Sequence, residues 1–145
     1  MRIYNVGIIG CGRIASDFED TLNTQKPHSH AGAFSACKRT SVVAACDISK
    51  SRRNLFKDRW LVNTYDSHVD MINSENIEIV SICTPPETHL SIIEDILSLD
   101  NKIKAIFCEK PLDVSIENCK KIKKLCDKNN IKLAINTWRR WDIFH

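Results

Sequence analysis

The sequence predicts an α/β protein built on one doubly wound parallel sheet, and three observations carry that reading. Short apolar runs rich in β-branched residues recur at Val6 to Ile9, Val42 to Cys46, Ile77 to Cys83, Ile103 to Cys108 and Ile131 to Ile135, as expected of strands buried on both faces. Longer amphipathic stretches separate them, so strand and helix alternate throughout. The composition, 43% hydrophobic and 27% charged over 145 residues, is that of one well-packed domain filling residues 1–145, with no proline- and glycine-rich linker to divide it.

The first strand runs into Gly10-Cys11-Gly12 and a helix expected over 13–22; a second helical pattern covers 30–38, and Pro27 breaks the stretch between them. Helical spacing returns at 50–59, 66–73, 88–99 and 115–129, the last with Ser115 placed as a cap and Glu117 in its first turn. A short extended piece from Asn63 to Tyr65 fits an edge strand. Parallel strands joined this way demand right-handed crossovers. Trp138, Trp141 and Phe144 follow the last strand with no further element to bury them, which reads as a chain stopping partway through its architecture.

Charge excludes more than it identifies. Lys and Arg number 21 against 18 Asp and Glu, a net charge of +3, too small and scattered to indicate nucleic acid or a membrane surface. The densest basic run, Lys120, Lys121, Lys123 and Lys124, shares a helix with the apolar stripe Ile116, Cys119, Ile122 and Cys126, so it reads as a solvated face. No leader precedes the first strand and no apolar run approaches spanning length, so a cytoplasmic protein is expected. The seven cysteines include no C-x-x-C pair, and Cys46, Cys83 and Cys108 fall in or at the end of strands, where they read as reduced core thiols. His28, His30 and Cys37 match no common zinc spacing, and no metal site is expected.

The residues that carry chemistry cluster at strand ends. Gly10-Cys11-Gly12-Arg13-Ile14-Ala15 is a G-x-G-x-x-A turn at the first strand-to-helix junction. Gly10 allows the tight turn, Gly12 lets the backbone approach a pyrophosphate, and Ala15 allows close helix-strand packing. The free N–H groups of the helix start, at Arg13 and Ile14, are expected to face the anion. Such a turn alone can bind nothing, but its place in the pattern favours a dinucleotide. Asp47 ends the second strand as an acceptor for ribose hydroxyls, which points to NAD; Arg52 and Arg53 nearby leave NADP as the alternative through its 2′-phosphate. Its distance from Gly10 exceeds the usual spacing because the segment from about Asp17 to His30 lengthens the first crossover. The third long strand ends in Thr84-Pro85-Pro86-Glu87-Thr88-His89, an extended turn on the ligand edge of the sheet, where His89 either contacts cofactor or packs locally.

With Cys108-Glu109-Lys110-Pro111 at the end of the next strand, this set resembles the glucose-fructose oxidoreductase, inositol dehydrogenase and rhizopine-catabolism (Gfo/Idh/MocA) family. Val6 to Ala15, His30 to Phe34, Ala44 to Asp47, Thr84-Pro85-Pro86 with His89, Glu109-Lys110-Pro111 and Arg139-Arg140 carry the resemblance, which spans nearly the whole chain. It implies a Rossmann fold and an NAD(P)-dependent dehydrogenase moving hydride between nicotinamide and a sugar or polyol carbinol. It also implies that Lys110 is catalytic, beside the nicotinamide and the reacting carbinol. Glu109 would shape the cofactor pocket with Thr84, Pro85 and His89, and Pro111 would follow a cis peptide bond. Chemistry agrees for Lys110: a residue before proline is held extended, and a lysine fixed at a strand end can set its ammonium at a developing alkoxide. A plain surface lysine is the alternative.

Members of that family continue into a second, mostly antiparallel α/β domain that carries substrate contacts, usually including an Asp and a His, and through which a homo-oligomer would form. These residues do not contain it, so the chain alone is expected to bind cofactor without turnover. The rival from another class is a non-catalytic NAD(P)-binding regulatory module. A nucleic-acid role for Trp138, Arg139, Arg140 and Trp141 has no recognisable module behind it.

Overall fold

The computed structural model describes residues 1–20 and 25–137. The apolar runs become β1 (Tyr4–Ile9), β2 (Thr40–Cys46), β4 (Ile79–Ile82), β5 (Ala105–Cys108) and β6 (Lys132–Ile135), and the short extended piece becomes β3 (Asn63–Tyr65). All neighbours pair in parallel, and the sheet order is β3-β2-β1-β4-β5-β6. This is the Rossmann order, which reverses direction between β1 and β4 and leaves a crevice at their C-terminal ends.

Among the described residues, five helices cover the sheet: α1 (His30–Ala36), α2 (Lys50–Trp60), α3 (His68–Ser74), α4 (His89–Ser98) and α5 (Ile116–Lys128). Strand side chains alternate between two cores. Val6, Ile8 and Ala45 pack with Ala31 of α1 and Phe56 of α2. Ala44, Cys46, Val80, Ile82 and Ile106 pack on the other face with Met71, Ile93, Ile96 and Ile122 of α3, α4 and α5. Serines start three of these helices: Ser29 Oγ accepts the Gly32 N–H, Ser67 Oγ those of Val69 and Asp70, and Ser115 Oγ that of Asn118, satisfying donors that the first turn leaves open. All seven cysteines are free thiols. Burial pushes Cys46 and Cys108 up to about 12, which keeps them protonated and unreactive.

The segment after the glycine turn departs from expectation. No α-helix forms over its described part: residues 13–16 make a turn and Asp17–Asp20 a single 3-10 turn. The Ser16 N–H reaches the Gly12 carbonyl at 3.0 Å, closing one helical turn, after which the chain leaves the axis. His30 and Ala31 then donate their N–H groups to the carbonyls of Ile14 and Ala15 at 3.1 and 3.0 Å. The crossover helix is thus one turn, an insertion, and then α1.

Side chains from elsewhere meet this segment. Arg59 Nη1 donates to the Ser16 carbonyl at 2.9 Å, an acceptor that the Glu19 N–H of the 3-10 turn shares at 3.2 Å, and Trp60 Nε1 donates to Ser16 Oγ at 3.0 Å. Glu19 Oε1 accepts the Ser29 hydroxyl at 2.7 Å and the N–H groups of Ser29 and His28 at 2.8 and 3.0 Å. Burial pushes that carboxyl up, yet the three bonds hold it below the usual carboxylate range.

Candidate functional site

At the C-terminal ends of β1, β2 and β4 the sheet opens into a groove of about 480 Å³, whose walls include Gly10, Gly12, Asp47, Thr84 and Pro85. The groove lies where the strand order reverses, the place an open α/β sheet offers a ligand. Gly10 has φ +90°, and a Cβ there would stand 3.0 Å from the Cys83 carbonyl oxygen and 3.1 Å from Thr84 Cγ2. Conformation and space both demand glycine at this position. A Cβ on Gly12 would meet nothing nearer than Arg52 Nη1 at 3.7 Å, so the backbone is open for a phosphate to approach.

Asp47 is 8% exposed. Its Oδ2 accepts the Cys11 N–H and its Oδ1 the Ser49 N–H, each at 2.8 Å. An ionised carboxylate has about four acceptor positions, so each oxygen retains capacity for a hydroxyl in the groove. Arg52 Nη1 stands 3.9 Å from Oδ2, and Arg53 Nη1 donates to the Asp47 carbonyl at 2.7 Å. The opposite wall is the Thr84-Pro85 turn, braced by the Thr88 hydroxyl donating to Thr84 Oγ1 at 2.8 Å.

Other residues singled out from the sequence lie elsewhere. His89 is fully buried, with Nε2 2.9 Å from the Thr84 carbonyl and Nδ1 2.9 Å from the Leu112 carbonyl. It ties the groove wall to the loop after β5 from behind, which is local packing rather than a wall position. The Arg13 guanidinium stacks on Phe18 at 4.6 Å. Ile14 lines a separate cavity beside α1, with Phe34 and Phe107. The helix start expected to face an anion is reduced to the single turn that begins at Gly12.

Lys110 follows β5, one strand beyond β4 on the same sheet edge, and its side chain is exposed. The Lys110-Pro111 peptide is cis. Beside it Glu109 is 8% exposed and bonded to His30 and Asn136. Sequence reasoning did not bring these together with Ser81, the remaining partner of His30. A signal existed: Ser81 is a polar residue between Val80 and Ile82 in an otherwise apolar strand, which implies a buried partner.

Residues 4–137 match the model of the GFO_IDH_MocA family, described as an oxidoreductase family with an NAD-binding Rossmann fold. The chain belongs to this family. Inositol 2-dehydrogenase of Salmonella typhimurium is 32% identical over 139 residues, covering 94% of this chain and 37% of that protein. Rhizopine catabolism protein MocA of Rhizobium meliloti is 30% identical over 141 residues, 97% of this chain and 39% of that protein. Scyllo-inositol dehydrogenase from Lactobacillus casei, solved with NAD(H) and scyllo-inositol, shares the fold with a TM-score of 0.78 at 22% identity, over 98% of this chain and 38% of that one.

The chain therefore spans a little over a third of the length of the curated relatives it matches. The part it spans is the NAD-binding Rossmann fold that the family description names, and the groove walled by Gly10, Gly12 and Asp47 lies at the strand-order reversal of that fold. No helix among the described residues is long and apolar enough to cross a membrane. Arg139 and Arg140, and the aromatic residues Trp138, Trp141 and Phe144, lie outside the described residues.

Proposed function

We propose that this chain is the cofactor-binding part of a cytoplasmic NAD-dependent dehydrogenase that oxidises a carbinol of a polyol or sugar, with Lys110 as the catalytic residue. The observation that carries the proposal is the shared sheet edge: the groove of Gly10, Gly12, Asp47, Thr84 and Pro85 and the Glu109-Lys110-Pro111 turn all follow C-terminal strand ends of one sheet. The relatives' names, inositol 2-dehydrogenase among them, favour an enzyme and a polyol over a non-catalytic binding module.

NAD, when bound, supplies the hydride acceptor. The chain's own residues bind and orient it. Gly10 and Gly12 admit the pyrophosphate against bare backbone, and the spare acceptor positions of Asp47 take ribose hydroxyls while its charge opposes a 2′-phosphate. Thr84 and Pro85 form the facing wall. Lys110, held at its main chain, places an ammonium where negative charge builds on the carbinol oxygen as hydride leaves. Substrate contacts and oligomer contacts fall to residues beyond this domain.

In the complete enzyme, Lys110→Ala is expected to leave NADH affinity within about twofold while single-turnover hydride transfer falls on the order of a hundredfold or more, as for loss of one preorganised donor. An unchanged rate, or a loss confined to NADH affinity, would overturn the assignment.

A further inference from the structure

Two elements distant in sequence converge on Glu109. Its Oε1 lies 2.8 Å from His30 Nε2 and accepts the Asn136 amide at 2.5 Å, while its Oε2 accepts the main-chain N–H of Lys110 at 3.1 Å. His30 is 4% exposed and sits at the start of α1; its Nδ1 is 2.7 Å from Ser81 Oγ on β4, and its ring lies 5.1 Å from that of Phe107 on β5. The His30 main chain is anchored as well, through its N–H to the Ile14 carbonyl in the glycine turn.

The donor roles follow from this network. Burial pushes the Glu109 carboxyl up, but the bonds from His30 and Asn136 bring it below the usual range, so it is ionised and only accepts. His30 therefore presents Nε2–H to Glu109, and the Ser81 hydroxyl donates to Nδ1, a tautomer assigned from the hydrogen bonds. Each oxygen of Glu109 then has a separate task. Oε1 is clamped by His30 and Asn136, and Oε2 is left to hold Lys110.

We propose that His30 is a positioning residue for Lys110, acting through Glu109 to fix the main chain of the Glu109-Lys110-Pro111 turn. This rests on the reading of Lys110 as catalytic. A glutamate held at one oxygen by the buried His30 ring and the half-buried Asn136 amide is kept from swinging, so its second oxygen stays under the Lys110 N–H and the lysine stem leaves the strand end in one direction. Without the His30 bond the carboxylate keeps only the Asn136 amide on Oε1, and the Lys110 N–H competes with water for Oε2. Because the same histidine is bonded to Ile14, the glycine turn and the Lys110 turn are referenced to one residue.

Two substitutions separate this from plain core packing. His30→Gln keeps an amide long enough to reach Glu109, whereas His30→Asn keeps a group near Ser81 and falls short of Glu109. In this chain, hydrogen exchange of the Lys110 amide is expected to speed up roughly tenfold in His30→Asn, the loss of about one hydrogen bond, and to stay near the wild-type rate in His30→Gln. In the complete enzyme, His30→Asn should lower kcat roughly tenfold with NADH affinity kept within about twofold, yet cost less than about twofold when added to Lys110→Ala, because the two act as a unit. Equal exchange in both variants, or equal cost with and without Lys110, would overturn the proposal. Failure of the catalytic reading has a different signature: full hydride-transfer rate in Lys110→Ala alone, whatever the exchange shows.

Discussion

The carboxylate of Asp47 accepts the Cys11 main-chain N–H at 2.8 Å, so the acidic residue that ends β2 also fixes the turn that follows β1. In the proposed site, one side chain both shapes the turn offered to the pyrophosphate and supplies the acceptor offered to the ribose. The two roles predict a specific failure. Asp47→Asn retains one acceptor oxygen for the N–H groups of Cys11 and Ser49 and turns an NH₂ toward one of them. NADH affinity should fall roughly ten- to a hundredfold, the cost of about 1–3 kcal/mol for a mispaired buried donor. Calorimetric titration should also show the preference for NADH over NADPH shrinking, because the charge that opposes a 2′-phosphate is gone. A loss of affinity with an unchanged preference would leave Asp47 as a turn residue only.

Gly10→Ala should damage the same turn by another route. With φ at +90° and the Cys83 carbonyl 3.0 Å from the added Cβ, neither rotation nor a flexible neighbour relieves it. A loss of about 1–2 kcal/mol is expected from the backbone conformation alone, read in a thermal melt, together with NADH binding weakened beyond detection at micromolar concentration.

Glu19 should prove a stability residue, not a catalytic one. Glu19→Ala removes the acceptor of the Ser29 hydroxyl and of the N–H groups of Ser29 and His28, and a loss of about 3 kcal/mol is expected from the two buried Ser29 donors. Gly32→Ala should act on the same contact, because its Cβ would fall 1.9 Å from Glu19 Oε1. The double variant should therefore lose clearly less than the two single losses added together. Urea unfolding of all three variants is the measurement.

Acid should destabilise the fold in a predictable window. Bonds from Lys104 and then Arg2 hold Glu78 down to about 2, and Glu19, Glu109 and Asp113 are also lowered. A carboxyl whose folded value lies below its unfolded one favours the fold when ionised. That contribution is complete above the unfolded value of about 4.3 for glutamate and is lost as pH falls through the folded values, reaching about 2 for Glu78. The urea midpoint should hold steady from these groups above about pH 5 and fall steadily below it. Glu78→Gln should flatten the lowest part of that fall; an unaltered acid limb would remove Glu78 from the account.

Local rules made much of this protein legible. The apolar runs identify strands buried on both faces, and turn chemistry marks Gly10, Gly12 and Asp47, because those requirements belong to single residues and their immediate neighbours. Ser115, marked as a cap, likewise acts within one helical turn of its own position. Groups brought together by the crossovers were not legible. The stretch after Gly12 has helical spacing through Ile14 and Phe18, yet Arg59 bonds the Ser16 carbonyl from α2 and Glu19 turns back to Ser29. His89 has the position of a cofactor residue but is spent on the carbonyls of Thr84 and Leu112.

Sequence by itself determined the parallel sheet, the alternation of strand and helix and the glycine turn that ends β1, since periodicity and backbone conformation are properties of short segments. Tertiary structure alone decided that His30 meets Glu109 across 79 positions, that the first crossover helix is split, and which marked residues face the groove. Periodicity states which face of an element is buried; which polar atoms then find each other depends on where the crossovers set those faces, and a buried donor must take whichever acceptor arrives beside it.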